Sequence, residues 1–306
     1  MDIGIAGADF DNQEAHKTYP IGLPSPLDDA LLFHRQCYDR GIACGFIHPE
    51  DDLSRLRALY VPHWVMWKPE WTTAVDAFVK QGGTLILSAM TATRDVNNHI
   101  HRSQAPSAGL SQLAGVRVQE FGVVAAPGAL GLFDWPQSGL GIYRPTEKPA
   151  ASSASRIYNF TFGNQEFVAG HLYERLELNA GTEVIGRWSN RFLQDEAMMT
   201  TRRHGKGHVI YMGTYLTPEF TAAMVSYIST QHGILPLLAD KPDGVEVSIR
   251  ENDERKICFI QNTLHTTVTI AAVPHGIDLL TGKHINGALD MEAYGCAVIR
   301  MEIGNE

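Results

Sequence analysis

Hydrophobic and polar positions along the first ninety residues alternate between two periods. Short apolar runs at Asp2–Ala6, Ile42–Ile47, Ala58–Val61 and Thr84–Ser88 predict strands. Between them, Leu27, Leu31, His34 and Tyr38 fall on one helical face, and Trp71, Val75, Phe78 and Val79 on another. Ser25-Pro26 followed by Asp28 and Asp29 opens the first of these helices, and Gly41 stops it; Pro69 opens the second and Gly82 caps it. Asp9–Pro24 reads as a polar loop. This rhythm predicts an α/β domain with a flavodoxin-like parallel sheet and right-handed crossovers. The Thr84–Ser88 strand lies at its centre, and ligands of such sheets bind beyond the strands' C-terminal ends.

Further on, Thr91–Ser107 is a polar loop, Leu110 and Leu113 with Gly115 mark a short helix, and Val116–Val118 a strand. Val123–Ser155, rich in Gly, Pro, Ala and Ser, reads as a long irregular excursion. Strands follow at Ile157–Phe162, Glu183–Trp188, Ala197–Arg202 and His208–Gly213, the last two joined by Gly205-Lys206-Gly207. A helix carrying Phe220, Met224, Tyr227 and Ile228 ends at Gly233, and Pro236–Pro242 reads as a linker. Alternating runs at Val245–Arg250, Lys256–Asn262, Thr266–Val273 and Cys296–Glu302 predict a small antiparallel β domain. The expected division is therefore residues 1–238 and 239–306.

A length of 306 residues suits two domains, each with its own core. The formal net charge of -9 and the lack of a basic run argue against nucleic acid as a partner. No apolar run approaches the ~20 residues of a membrane span, and Met1 is not followed by a charged-then-apolar leader, so a cytoplasmic location is expected. Cys37, Cys44, Cys258 and Cys296 lack Cys-x-x-Cys spacing and read as reduced, packed thiols. No cofactor and no metal is expected.

Seven segments follow one another in order: Ala58-Leu59-Tyr60-Val61-Pro62, Gly82 to Ser88, Arg94 to His101, Leu113 to Phe121, Gly205 to Thr214, Gly244-Val245-Glu246-Val247 and Asp278-Leu279-Leu280-Thr281-Gly282. Together they resemble the bacterial β-galactosidases of glycoside hydrolase family 42. In that family a catalytic (β/α)8 barrel precedes an amidotransferase-like trimerisation domain and a small C-terminal β domain. The resemblance covers the second and third parts only. It implies a homo-oligomer, trimer or dimer, a β-galactosidase barrel chain and a galactoside as partners, and no catalytic residue in this stretch. Asp95-Val96-Asn97 departs from the family's Asp-Glu-Asn.

Candidate chemistry is sparse. Glycoside hydrolysis needs two facing carboxylates, one of them protonated; Glu174 and Glu177, three apart, could share a helical face as such a pair or as a solvated surface. An amidotransferase needs a cysteine at the strand-to-helix elbow, but the elbow offers Ala89, where a serine such as Ser88 would have to substitute, and His48-Pro49-Glu50 comes too early to supply the base. His99 and His101, with Asp95 upstream, could meet a metal only with a third ligand. His204 and His208 read as exposed turn residues. Trp71 falls on the core stripe, whereas Trp64 and Trp67 follow the third strand and suit either packing or an exposed crevice that stacks sugars or a subunit. The candidate ligand-binding set is thus Trp64, Trp67, Met90, Asp95, His99 and His101.

Overall fold

The computed structural model describes residues 1–7, 9–18, 24–101, 105–124, 157–252 and 254–302. The expected excursion at Val123–Ser155 lies, but for its first two residues, outside them. The chain divides into two compact units, one of Ile3–Phe33 and Gly45–Met224, the other of Met1–Asp2, His34–Cys44 and Val225–Glu306. Among the described residues no helix is long and apolar enough to cross a membrane.

The larger unit is built on a nine-stranded sheet. Its strands are β1 (Ile3–Ala6), β2 (Cys44–Ile47), β3 (Ala58–Val61), β4 (Thr84–Leu87), β6 (Asn159–Phe162), β7 (Gln165–Val168), β9 (Thr182–Trp188), β10 (Ala197–His204) and β11 (Gly207–Met212). Their order is β2-β1-β3-β4-β11-β10-β9-β6-β7. β1, β3, β4 and β11 pair in parallel, with Leu59 opposite Leu85 and Val209 opposite Leu85 on its other side. From β11 onward every pairing is antiparallel. The sheet is thus mixed, parallel over β1, β3, β4 and β11 as expected, and not parallel throughout. Gly205 and Lys206 join β10 to β11 as a two-residue turn, with His204 opposite Gly207, and so short a connection can join only antiparallel neighbours.

The helices follow the sequence signals where an apolar stripe exists. α3 (Pro69–Gln81) starts with Pro69 and buries Trp71, Val75, Phe78 and Val79; Gly82 closes it with φ 124° and donates to the carbonyls of Phe78 and Val79. These side chains join Leu59, Leu85, Val209 and Tyr211 in one core. α2 (Pro26–Asp39), α4 (Leu110–Ala114) and α5 (Pro218–His232) lie where expected. Residues 9–24 hold a helix, α1 (Phe10–His16), where a loop is expected. It buries only Asn12 and Ala15, too little apolar surface to leave a periodic trace. A separate ribbon pairs β5 (Val116–Val123) with β8 (Leu172–Leu178). Gly122 fits there because a Cβ would meet the ring of the opposing Tyr173 at 2.5 Å.

The smaller unit carries an antiparallel sheet in the order β12 (Val245–Glu251), β13 (Lys256–Asn262), β16 (Cys296–Met301), β14 (Val268–Asp278) and β15 (His284–Met291). Its core holds Val245, Val247, Cys258, Ile260, Ile270 and Ile299. β15 has no counterpart in the sequence reading. As an edge strand it alternates exposed with half-buried positions and contains Gly287, so it lacks a strong apolar alternation.

Candidate functional site

The chain beyond β4 turns sharply: Ser88 and Ala89 are fully buried, and Met90 takes the left-handed conformation with φ 64°. A non-glycine residue holds this region only when its surroundings compensate. Glu174, on β8, supplies the compensation. Its Oε1 accepts from the Met90 amide at 2.9 Å and its Oε2 from the Tyr211 hydroxyl at 2.8 Å, while the Glu174 amide donates to the Gly213 carbonyl. One side chain thereby fastens β8 to the ends of both β4 and β11.

Glu174 is 0% exposed, and burial raises its pKa to about 7 against the opposing pull of the two donors. An acid titrating near neutrality suits proton transfer, but this one meets no solvent. The expected helical pairing with Glu177 is corrected: both lie on β8, where positions three apart face opposite sides. Glu177 is half exposed and accepts from Arg117 and Gln119. The facing carboxylates of a glycosidase are not built from this pair.

The space beyond the strand ends is filled from above. Ala15 of α1 packs with Val65, Met66, Ala89, Met90, Leu172 and Tyr215. Asn12 anchors α1: the Met66 amide donates to its Oδ1 at 2.9 Å, and its Nδ2 donates to the Met66 carbonyl at 3.2 Å. Trp64 and Trp67, at 0% and 1% exposure, belong to the core together with Trp71, so of the two roles open to them, packing or an exposed crevice, they take packing. The three indoles lie 5.3 to 6.4 Å apart in tilted and edge-on contacts. His48 and Glu50 cover this cluster. The imidazole stands edge-on to Trp71, and Glu50 accepts from the Trp71 indole at 2.7 Å.

A second polar chain runs beneath the turn and is absent from the sequence reading. Tyr60 on β3 donates to Asp29 of α2, His63 Nδ1 lies 3.7 Å from the same carboxylate, and His63 Nε2 donates to the Pro24 carbonyl at 2.7 Å. Ser88 faces the Tyr60 hydroxyl. Asp29, Tyr60, His63 and Ser88 are all buried. His63 stacks on Tyr215 at 4.2 Å, and His171 tilts against Tyr215 at 5.9 Å, where burial lowers its pKa to about 4. The legible signal was polar residues closing apolar strands. No histidine hydrogen bond to Ser88 is present among the described residues; the arrangement ties helix to sheet through Tyr60 and Asp29.

Asp95, His99 and His101 lie apart from this cluster on the following loop. Asp95 Oδ1 accepts from the amides of His99 and Asn97 at 2.9 Å each, which holds its carboxyl below the usual range, and His99 Nδ1 lies 3.5 Å from Oδ2. His99 is exposed and so is His101. Arg94 beside them donates to Asn98 at 2.6 Å and to Thr18. These contacts make Asp95 the builder of a turn. Among the described residues no group of three or more His, Cys, Asp or Glu could hold a metal. His204, on β10 rather than in a free turn, bonds Asp76 at 2.7 Å, and exposed His208 sits on β11. The structure thus splits the candidate set, with Trp64, Trp67 and Met90 in the core and Asp95, His99 and His101 on a surface loop.

Comparison with known proteins accounts for this scaffold. The family model described as the β-galactosidase trimerisation domain matches residues 9–129 and 145–235. Beta-galactosidase BgaB of Geobacillus sp. is 27% identical over 271 residues, covering 88% of this chain and 36% of that protein. Beta-galactosidase BgaA of Clostridium cellulovorans is 24% identical over 275 residues, 90% of this chain and 37% of that one. Among solved structures, β-galactosidase from Bacillus circulans sp. alkalophilus superposes with a TM-score of 0.81 at 20% identity, covering 98% of this chain and 41% of its own. The enzyme from the haloarchaeon Halorubrum lacusprofundi gives 0.72 at 17% identity, covering 97% and 39%. The chain thus spans little more than a third of the curated relatives it matches. With the match extending over more than half of its residues, the chain belongs to the β-galactosidase trimerisation domain family.

Proposed function

We propose that this stretch is a non-catalytic, oligomer-forming part of a β-galactosidase system in carbohydrate metabolism, with residues 1–238 as an amidotransferase-like trimerisation domain and 239–306 as a C-terminal β domain. The observation that carries the reading is the family match. The sealed strand ends support it, since Glu174, Ser88 and Met90 are buried and serve to hold strands together. The four free cysteines agree with a cytoplasmic setting. Light scattering coupled to gel filtration tests the assembly role: a trimer is expected at micromolar concentration, a dimer would revise the stoichiometry, and a strict monomer would remove the proposal.

A second reading follows from coverage. Because the chain spans only 36% of BgaB, galactoside hydrolysis is expected only beside a (β/α)8 barrel, including one on another chain. Mixing the purified chain with such a barrel should raise hydrolysis of a chromogenic galactoside, and no change would discard the pairing. A stand-alone sugar site at the crevice beyond β4 is the least supported, because Met90 and Ala15 occupy that space.

A further inference from the structure

Strand β12 pairs with β13 in continuous register, Glu246 opposite Gln261 and Ser248 opposite Phe259. Val245 and Val247 of β12, with Cys258 and Ile260 of β13, enter the small unit's core. Period two then sends Glu246, Ser248, Arg250, Phe259 and Gln261 to the opposite face. A hairpin face of this kind is ordinarily flat. Here Tyr38, near the end of α2, walls it on one side and leaves a hollow of about 240 Å³ lined by these residues.

The lining is chemically uncommitted. Burial and the neighbouring Glu246 carboxylate push the Tyr38 hydroxyl well above its ordinary pKa. Among the described residues the Arg250 side chain makes one hydrogen bond, to the Ile249 carbonyl at 3.2 Å, which leaves guanidinium donors over. Among the described residues, the Ser248 hydroxyl and Gln261 amide have no side-chain hydrogen bond, and Phe259 has no aromatic partner. We propose that this hollow binds a single neutral sugar ring, one C–H face lying on Phe259 and its hydroxyls paired with Glu246, Arg250 and Gln261.

Charge and size select that class. A carboxylate and a guanidinium share the hollow, so an anion meets Glu246 and a cation meets Arg250 unfavourably, while a polyol uses an acceptor and a donor side by side. An aromatic face amid planar polar groups suits a ring with one apolar side. Its volume falls below the ~300–1,000 Å³ of sites for larger ligands, which favours one ring over an oligosaccharide. The site lies in the small unit, and its test does not depend on the oligomeric state.

Saturation-transfer NMR on the whole chain with methyl β-D-galactoside tests it. A saturable signal with Kd of about 1–10 mM is expected. Phe259→Ala and Gln261→Ala should each weaken it by about tenfold or more, and inorganic phosphate and arginine should not compete. Gln261 is exposed, so its variant keeps the test valid should Phe259→Ala fold poorly. A signal that fails to saturate, survives both substitutions, or yields to phosphate would overturn the assignment.

Discussion

An ionised carboxylate taken out of water costs several kcal/mol, and two neutral donors offset only part of that. Glu174 is in this position, and the outcome is a pKa moved from 4.5 to about 7. Linkage fixes the sign. Between those values the folded chain holds the proton more tightly than the unfolded chain, so the stabilisation present below pH 4.5 is lost as pH rises to 7 and is constant beyond it. That rise corresponds to about 3 kcal/mol. Glutamine at this position stays neutral at every pH and can still accept from the Met90 amide. Glu174→Gln should therefore gain about 3 kcal/mol on the wild type between pH 4 and pH 8, read from urea unfolding at each pH. A difference between the two proteins that does not change with pH would show that Glu174 does not titrate there.

At the scale of elements, α1 shows how a helix is held without an apolar stripe. Phe10 points into solvent, and the helix is retained by Ala15 and by the paired hydrogen bonds between Asn12 and the Met66 backbone. Replacing Asn12 by alanine strands a buried amide and carbonyl, at a cost of about 1–3 kcal/mol. Asn12→Ala should lower stability by that amount and speed hydrogen exchange in residues 10–16 and at Met66. Unchanged exchange at Met66 would mean that packing alone holds α1. The same physics explains what could be read in advance. α3 and β4 announce themselves because a Pro-to-Gly frame encloses Trp71, Val75, Phe78 and Val79 and an apolar run follows. α1, β8 and β15 do not, since α1 buries an asparagine, β8 breaks its alternation with a buried glutamate, and β15 is a polar edge. The strand-end site was legible in Ser88 and Met90 but not in its partner, because the contact from Met90 to Glu174 spans 84 positions that no local pattern links. Trp64 and Trp67 stayed open between core and crevice for a related reason: an indole looks the same in sequence whether it is covered, as Trp64 is by His48, or left exposed.

For the whole molecule, net charge and assembly pull against each other. Each copy carries a formal charge of -9, so bringing copies together concentrates negative charge and association works against long-range repulsion. Salt shortens the reach of that repulsion, from ~30 Å at 0.01 M to ~8 Å at 0.15 M. If trimerisation rests on apolar and hydrogen-bonded contacts, adding salt over this range should tighten it, so that light scattering detects the trimer at lower protein concentration. Mass action adds a second signature: folding coupled to association makes the thermal midpoint rise with protein concentration. The two readouts together separate the mechanisms. Tighter association in salt, with a concentration-dependent midpoint, fits copies joined through apolar surface against a repulsive background. Weaker association in salt would mean that cross-subunit ion pairs dominate, and the search for the contact would move to exposed charges such as Arg117 and Glu177, which within one copy already bond each other.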